Sequence, residues 1–368
     1  MRLGFNARSL AAPHMRGWTR YTVQLLRHLP ALGAELVLFT DQPLNREHLA
    51  ELEPDSFRVV QSPEMRYLAW EQVWLPLAVT RERIELFHAP ANFGLPLAAP
   101  CPRVLTLHDA IDEAFEPSPV GRSLREKIVS ASFWAARTVA SRVITVSAHA
   151  KADLVKHWAI PAAKINVIHE ASDLRERAVS VVEEQRLFDA LGISSNFILY
   201  AGGFERRKNV DFLLRAFATA ELEGVSLVLV GSKPPALPKI QNKPGVIHTT
   251  GFVSDATLTA LYRRAQAFVY PSLYEGFGLQ LCEAMSFGCP TLAADATSLP
   301  EVLGDGGETF PLSSVDVLVS QLRRIAMDTA YREVLSARAL RRANDFSWRQ
   351  TARATFDVYR TVREDRPV

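Results

Sequence analysis

Cysteine, long apolar runs and surplus charge are all scarce in this 368-residue sequence. Its three cysteines have no short spacing typical of a zinc site and are odd in number, so we expect reduced thiols and a cytoplasmic location. No stretch approaches the roughly 20 uncharged apolar residues of a transmembrane helix. Residues 1–6 are predicted to form a strand and not a signal peptide. The long apolar run and the small-residue cleavage site of a signal peptide are missing.

The charge balance and the composition exclude further classes. Lys and Arg number 42 and Asp and Glu 40, so the net charge of +2 lacks the strong basic excess of a nucleic-acid-binding protein, and we expect no nucleic-acid partner. A hydrophobic content of 48% excludes wholesale disorder. Neither half of the chain has a Gly-x-Gly-x-x-Gly after its first strand, which argues against a Rossmann oxidoreductase.

Short β-branched or apolar runs alternate with amphipathic segments along the chain. Such alternation predicts parallel sheets with helices on both faces, and the length suits two domains. The alternation breaks once, in a mixed-charge segment. We therefore predict a first domain over 1–172, a linker over 173–191, a second domain over 192–345 and a C-terminal helix within 346–368. Because ligands of such sheets bind outside the carboxyl ends of the strands, we expect functional residues in the loops that follow strands.

The strongest motif is PSLYEGFGLQLCEAM, residues 271–285, which follows a predicted strand and opens a helix. Glu275 lies on the loop and Glu283 in the first helical turns, about 12 Å apart if all the intervening steps are helical. That separation suits the two ends of a nucleoside-diphosphate sugar. Carboxylates accept from sugar hydroxyls, and the free N–H groups of residues 276–279 can receive a diphosphate. The alternative is a helix N-terminus whose acidic first turn is favoured by the helix dipole.

A second motif, YAGGFERRKN at residues 200–209, follows the first predicted strand of the second domain. Its three consecutive cations stand at a helix start, where they oppose the helix dipole unless an anion is nearby. A diphosphate would supply that anion. Asn209 is predicted to be the N-cap and to direct Arg207 and Lys208 toward the ligand. A solvated basic turn is the alternative.

Two shorter motifs lie in the first domain. His108 follows a predicted parallel strand, so we expect it to face a ligand cleft. The alternative is a structural histidine bonded to the backbone. The other motif, RGWTRY at residues 16–21, lies between the first strand and the first helix. It suits a phosphate or an acceptor, although Trp18 and Tyr21 also suit core positions.

Together these loops resemble the GT-B-fold family of retaining, nucleotide-sugar-dependent glycosyltransferases called family 4, or glycosyltransferases group 1. The resemblance covers nearly the whole chain. The Glu-x7-Glu pair stands in its family context, residues 202–209 are similar to the family's G-x-x-x-x-R-K-N loop, and residues 288–291 and 298–307 continue the pattern. Residues 70–76 and 88–90 resemble the polysaccharide-assembly branch.

The resemblance implies a role for each motif. The implied catalytic residues are Glu275 on the hydroxyls of the donor sugar, Lys208 on the diphosphate, and His108 beside the sugar and leaving group. Glu283 would hold the ribose. The other implied donor-binding residues are Gly17 in a phosphate-side loop, Arg207 on the diphosphate, Val253 in a base-contacting turn, and the backbone of Gly276, Phe277, Gly278 and Leu279 on the diphosphate.

The resemblance also implies the fold and the reaction. The expected fold is α/β GT-B, with two Rossmann-like parallel-sheet domains facing across a cleft and the C-terminal helix crossing back to the first domain. The expected reaction moves a mannosyl, glucosyl or rhamnosyl group, with GDP-mannose among the donors, to a glycan or lipid-linked acceptor in bacterial cell-surface polysaccharide assembly. The anomeric configuration would be retained. The sequence has no Asp-x-Asp pair, so we expect no metal and no cofactor beyond the sugar nucleotide.

Three positions depart from the family pattern. Thr19 stands where a second glycine is common, Asn6 stands where an aspartate is common, and His169-Glu170-Ala171 replaces the usual Pro-Asn-Gly. No role is assigned to this last segment from the sequence.

Alternatives stay open for the partners and the activity. Residues 122–142 combine Arg and Lys with apolar side chains, which is typical of a basic amphipathic helix at the inner face of a membrane or of an ordinary buried helix with a basic face. A sugar-nucleotide-binding subunit without catalysis would keep the same motifs. A glycoside phosphorylase of the same fold would use phosphate where the donor diphosphate would bind.

Overall fold

The computed structural model of the chain describes residues 1–15, 17–115, 135–174, 180–193, 196–231 and 247–365. The chain divides into two compact units, one made of Met1–Glu170 with Trp348–Val368 and the other of Ala171–Ser347. Each unit has its own parallel sheet. Across the described ranges, no helix is both long and apolar enough to cross a membrane.

The sheet of the first unit has seven strands: β1 Arg2–Asn6, β2 Glu35–Thr40, β3 Phe57–Gln61, β4 Leu86–Ala89, β5 Arg103–Thr106, β6 Arg142–Thr145 and β7 Ile165–Val167. All neighbours are parallel, in the order β3-β2-β1-β4-β5-β6-β7. In this register Leu3 lies opposite Leu36 and Leu86, and all three are buried. The strand order reverses between β1 and β4, so the carboxyl ends of these strands form a topological switch point.

Helices of the first unit follow from amphipathic sequence and local caps. Helix α6, for example, begins where Ser147 Oγ accepts from Ala150 N (2.9 Å). Its helices are α1 Gly17–His28, α2 Arg46–Leu49, α3 Tyr67–Ala69, α4 Leu75–Arg81, α5 Ile111–Ala114 and α6 Ala148–Trp158. A π-helical turn at Trp70–Trp74 joins α3 to α4, residues 135–139 are helical, and 3-10 turns lie at Arg8–Ala11, Pro30–Leu32, Pro54–Ser56 and Ala162–Lys164.

The C-terminal helix, Trp348–Glu364, belongs to the first unit and packs against α1. Trp348 meets the ring of Tyr21 edge-on, with ring centroids 5.9 Å apart. Tyr359 OH lies 2.6 Å from His88 Nδ1 on β4. Phe346, which the sequence pattern assigned to the same apolar stripe, precedes the helix and packs on Phe277 of the second unit instead.

The second unit repeats the architecture with six strands: β8 Phe197–Ala201, β9 Ser226–Val230, β10 Ile247–Gly251, β11 Ala267–Tyr270, β12 Thr291–Ala294 and β13 Glu308–Phe310. Their order is β10-β9-β8-β11-β12-β13, and all neighbours are parallel. The order reverses between β8 and β11, so this unit has a switch point of its own. Its helices are α7 Val181–Leu191, α8 Val210–Ala220, α9 Asp255–Arg264, α10 Leu279–Ser286, α11 Leu299–Leu303, α12 Asp316–Met327 and α13 Thr329–Ala343, with a 3-10 turn at Arg206–Lys208.

The second unit begins at Ala171 and so includes the segment predicted to be the linker, of which residues 173, 174 and 180–191 are described. Helix α7 occupies its last 11 residues. Ser180 caps this helix by accepting from Glu183 N (3.3 Å), and Phe188 packs on Phe197 with ring centroids 5.7 Å apart. The mixed charge that suggested a linker includes Glu184, which is buried in an ion pair with Arg263 (2.8 Å).

The predicted alternation of parallel strands with helices is present in both units. Strand β13 has only three residues, too short a run to show a period. Residues 122–134, which include most of the predicted basic amphipathic helix, lie outside the described residues, as do Arg16 and Val246.

Candidate active site

Two loops of the second unit meet at its switch point, because β8 and β11 are neighbours in the sheet. The loop after β8 carries the cations of the second motif, and the loop after β11 carries the first glutamate of the Glu-x7-Glu pair. Leu273 N donates to Arg207 O (2.7 Å), and Asn209 Nδ2 donates to Pro271 O (3.1 Å). The two strongest motifs of the sequence are therefore held side by side.

A buried ion pair lies where these loops meet. Lys208 Nζ is 2.6 Å from Glu275 Oε1, and Arg207 Nη1 is 3.2 Å from Glu275 Oε2. The side chains of Lys208 and Glu275 are 7% and 11% exposed, whereas that of Arg207 is 25% exposed. Two cations thus share one carboxylate. This group, called the cationic trio below, carries one positive charge when all three members are ionised.

Hydroxyl groups complete the surroundings of the Glu275 carboxylate. Ser272 Oγ donates to Oε1 (2.6 Å), and Tyr270 OH lies 3.0 Å from the same oxygen and 2.9 Å from Gln280 Oε1. Burial by itself would raise the pKa of Glu275. The attraction of Lys208 and Arg207 and the donated hydrogen bonds outweigh burial, so the pKa lies below its ordinary value. Glu275 is therefore an ionised hydrogen-bond acceptor.

The pKa of Lys208 also lies below its ordinary value. Burial disfavours the ammonium form, and the nearby Arg207 repels it, while Glu275 offsets only part of these effects. An anion bound beside Lys208 would favour the charged form and raise this pKa. The protonation of Lys208 is therefore sensitive to an anion that binds beside it.

Helix α10 begins directly after the second loop, with Gly278 at its N-cap. Gly278 has a φ of 96°, and a Cβ there would lie 2.8 Å from Leu299 Cδ2, so both backbone and space require glycine. No side chain of the described residues caps this helix. Ser298 Oγ lies 2.9 Å from the carbonyl oxygens of both Glu275 and Phe277, which fixes the loop in front of the helix. The positive end of the helix dipole is thus next to the loop that carries Glu275.

Glu283, the second glutamate of the motif, lies on α10 and is buried. Tyr262 OH donates to its Oε2 (3.0 Å) from α9. The predicted base-contacting turn, residues 251–254, leads into the same helix α9, which Ser254 caps by accepting from Thr257 N (3.2 Å). Tyr262 therefore connects Glu283 to the helix that this turn begins.

Three positions differ in detail from the sequence expectations. Asn209 occupies the N-cap position of α8, but its side chain does not cap the helix, because the residue has a left-handed φ of 52° and its amide is bonded to Pro271 O. Gly17, expected in a loop, is the first residue of α1. Thr19, which stands in place of a glycine, is buried and donates to Ser9 O (3.1 Å).

In the first unit, the loops after β4, β5 and β7 bring His108 to Glu170. His108 Nδ1 lies 3.0 Å from Glu170 Oε1, and His108 Nε2 lies 3.0 Å from Pro90 O. The side chains of His108 and Glu170 are 7% and 8% exposed. His108 therefore has the backbone partner of the structural alternative and, in addition, a buried carboxylate.

The pKa of His108 lies above its ordinary value. Burial would lower it, but the hydrogen bond and the charge of Glu170 outweigh burial, and the Pro90 carbonyl and Asp109 act in the same direction. The ring of Tyr21 meets the imidazole edge-on, with ring centroids 4.8 Å apart. These contacts fix the orientation of the ring.

Sequence reasoning missed several residues that touch the predicted ones. Only two residues separate Glu170 from the end of β7. The rule that ligand-binding residues follow parallel strands, which pointed to His108, therefore applies to Glu170 as well. Tyr270 is the last residue of β11, and Ser272 stands within the strongest motif. Tyr262 gave no signal in sequence, because its contact with Glu283 joins two helices.

Two family models match the chain. Glycosyltransferase Family 4 matches residues 15–176, and Glycosyl transferases group 1 matches residues 195–328. The O-antigen chain mannosyltransferase B of Escherichia coli is 32% identical over 299 residues, which cover 75% of this chain and 74% of that protein. The chain belongs to the family 4 (group 1) glycosyltransferases.

Further relatives of this glycosyltransferase span almost its whole length. The MMP alpha-(1->4)-mannosyltransferase of Mycolicibacterium hassiacum is 27% identical over 407 residues, which cover 94% of this chain and 95% of that protein. Among solved structures, Anabaena Alr3699/HepE in complex with UDP and glucose has a TM-score of 0.75 at 19% identity, covering 98% of this chain and all of that one. The predicted GT-B α/β fold and the predicted enzyme class are confirmed.

Proposed function

We propose that this glycosyltransferase moves a mannosyl group from a nucleoside-diphosphate sugar to a glycan or lipid-linked acceptor, with retained anomeric configuration and without a metal ion. Glucosyl and rhamnosyl donors are the alternatives. The mannosyl assignment rests on the two mannosyltransferases to which the chain is similar. A role in bacterial surface-polysaccharide assembly rests on the O-antigen chain enzyme among them.

The observation that carries the proposal is the cationic trio beside the start of α10. When the bond to the sugar breaks, negative charge grows on the leaving diphosphate, and preorganised positive groups lower the energy of that state. Lys208 and Arg207 exceed Glu275 by one charge, and the dipole of α10 adds to them. These groups perform the electrostatic task of a metal ion, and the sequence has no Asp-x-Asp pair to hold one.

The state of Glu275 supports the retaining mechanism. Its carboxylate accepts from Lys208 and Ser272 and pairs with Arg207, and its pKa is held below the ordinary value. A carboxylate in this state is a weak base. In the proposed front-face mechanism, the leaving phosphate oxygen takes the acceptor proton instead. Glu275 then binds hydroxyls of the donor sugar, and Glu283 binds the ribose.

The donor and the metal requirement are tested together. Purified enzyme is incubated with GDP-, UDP-, dTDP- and ADP-linked hexoses and an acceptor extract, with and without EDTA, and release of nucleoside diphosphate is measured. We expect release from GDP-mannose that EDTA leaves unchanged. Loss of turnover in EDTA, restored by magnesium, would contradict the metal-independent mechanism. Turnover that requires inorganic phosphate and yields a sugar phosphate would identify a phosphorylase.

The stereochemistry and the acceptor need their own measurements. The anomeric coupling in the NMR spectrum of the product distinguishes retention from inversion, and an inverted product would reject the front-face mechanism. A lipid-linked acceptor implies contact with a membrane surface. Co-sedimentation with anionic lipid vesicles tests that contact, and a protein that stays in the supernatant at low salt would contradict it.

A further inference from the structure

We propose that Glu170 is a positioning residue that holds His108 as an imidazolium ion. The second part of the proposal is that His108 takes part in the transfer in this charged form. Only this second part rests on the proposed function. The charge state itself does not depend on that function, because it follows from the contacts within the first unit.

Both ring nitrogens of His108 face oxygen atoms that accept hydrogen bonds. Pro90 O, 3.0 Å from Nε2, is a carbonyl oxygen and has no hydrogen to give, so Nε2 must carry one. Glu170 Oε1, 3.0 Å from Nδ1, belongs to a group that only accepts when it is ionised. A ring with a hydrogen on each nitrogen is the imidazolium form.

The competing arrangement is a neutral His108 that accepts a hydrogen bond from a protonated Glu170. Burial favours this neutral arrangement, since the two side chains are less than a tenth exposed. The raised pKa of His108 favours the ion pair instead. A charge-assisted hydrogen bond is also about twice as strong as a neutral one.

The other ionisable groups around His108 fit this charge state. Asp109, the next residue, favours the positive ring. Tyr21, which packs edge-on against it, is buried and stays neutral because its pKa is raised. His88 on β4 is neutral too, because burial and the charge of His108 lower its pKa to about 3. The positive charge is therefore concentrated on His108.

Backbone contacts keep the two partners in place. Asn92 Oδ1 accepts from His108 N (2.9 Å). On the other side, Thr351 Oγ1 of the C-terminal helix donates to His169 O (2.7 Å), one residue before Glu170. The backbone is thus fixed on each side of the contact between His108 and Glu170. Glu170 lies in the segment to which the sequence assigned no role.

This arrangement changes what His108 can contribute. Both N–H groups are already committed, so His108 acts on a substrate through its charge and the placement of its ring, and not through a free nitrogen. Glu170 determines that charge. Replacing it by glutamine keeps the shape of the side chain, and its amide N–H can donate to an unprotonated Nδ1, but the charge that stabilises the second ring proton is removed.

The direct test is NMR of enzyme labelled with 15N-histidine, compared between wild type and Glu170→Gln. The nine histidines are distinguished by loss of one signal set in His108→Gln. We expect the His108 nitrogens of the wild type to show the imidazolium pattern at neutral pH. In Glu170→Gln we expect the neutral tautomer with hydrogen on Nε2. A neutral His108 in the wild type would overturn the proposal, whatever the activity of the enzyme.

Kinetics tests the second step separately. In Glu170→Gln we expect kcat to fall about tenfold, with little change in KM for the donor, and in Glu170→Asp we expect part of the loss to be recovered. The matched control is Asp153→Asn, which removes another buried carboxylate, on α6, that lies 3.2 Å from His149 and 3.9 Å from His157; this change should leave kcat and the His108 signals unchanged. An imidazolium in the wild type combined with unchanged kcat in Glu170→Gln would reject the catalytic step and keep the charge state.

Discussion

Two buried carboxylates of this glycosyltransferase hold cations in different ways. Glu275 in the second unit pairs with both Lys208 and Arg207, so these three groups together carry one positive charge. Glu170 in the first unit pairs with His108, and an ion pair of one cation and one carboxylate is neutral as a whole. A surplus charge can bind an anion from outside, whereas a balanced pair fixes a ring in place. The first arrangement thus suits a ligand site, and the second suits a support.

The cations also differ in how easily they give up a proton. An ordinary lysine loses its proton near pH 10.4 and an ordinary histidine near pH 6.5. A buried lysine without its carboxylate must therefore stay charged in an apolar site or deprotonate far from its ordinary pKa. A histidine can become neutral at little cost near pH 7. The two carboxylates should consequently matter to different extents.

The largest expected effect is on stability. Glu275→Leu leaves Lys208 buried without a counter-ion, and we expect it to reduce the free energy of unfolding by about 3–5 kcal/mol. Glu170→Leu should cost clearly less, because His108 can shed its charge. Urea unfolding of the two variants at pH 7, followed by tryptophan fluorescence and circular dichroism, measures both. Equal losses would show that the contrast between the two carboxylates has no energetic basis.

The next largest effect is expected in the kinetics of a variant that lacks Lys208 of the cationic trio. Lys208→Ala should lower kcat by roughly 10- to 150-fold and change KM less, because Lys208 meets charge that grows as the bond breaks. Steady-state kinetics on folded protein is the measurement. Arg206→Ala is the control, since Arg206 stands in the same turn but is exposed. A similar loss of kcat in both variants would indicate a general charge effect and not a specific contact.

A smaller effect is expected at the far end of the motif. Glu283→Gln should weaken binding of the nucleoside diphosphate by about 1 kcal/mol, or roughly fivefold, with kcat nearly unchanged. Tyr262→Phe should act in the same direction, because Tyr262 OH donates to Glu283 Oε2. Calorimetric titration with the preferred nucleotide measures both. A drop in kcat without a change in affinity would place Glu283 in the chemical step.

The smallest effect is a pH dependence. The pKa of His108 is raised in the folded protein, so its contribution to stability is complete below the unfolded value near 6.5 and is lost as pH rises through the folded value. The difference in melting temperature between wild type and Glu170→Gln should therefore be greater at about pH 6 than at about pH 9. A difference that stays constant or grows as pH rises would contradict an imidazolium held by Glu170.

The parallel sheets and the donor loops could be predicted because their signals are local. Strands such as FILYA and SLVLV are continuous buried runs, which is the pattern of a sheet covered on both faces. The cations of the second motif and Glu275 each follow such a strand. Adjacent parallel strands then bring them together without further information from the sequence.

The remaining features depend on contacts between distant parts of the chain. Helix α13 carries many arginines, and its buried residues Tyr331, Leu335 and Ala339, although at helical spacing, form a stripe only one residue wide. The pairing of His108 with Glu170 spans 62 residues and joins two loops of the same edge. The left-handed backbone of Asn209 follows from its bond to Pro271 O, which no local pattern shows.

The division of the chain has a consequence for biosynthesis. Residues 171–347 are synthesised in one stretch, so the second unit can fold as soon as it leaves the ribosome. The first unit must wait, since Trp348–Glu364 is translated after the second unit and supplies Tyr359 to His88 and Thr351 to His169. Until then β4 and the segment before Glu170 lack these partners. A nascent chain arrested before residue 348 should therefore present a protease with a resistant second half and a sensitive first half.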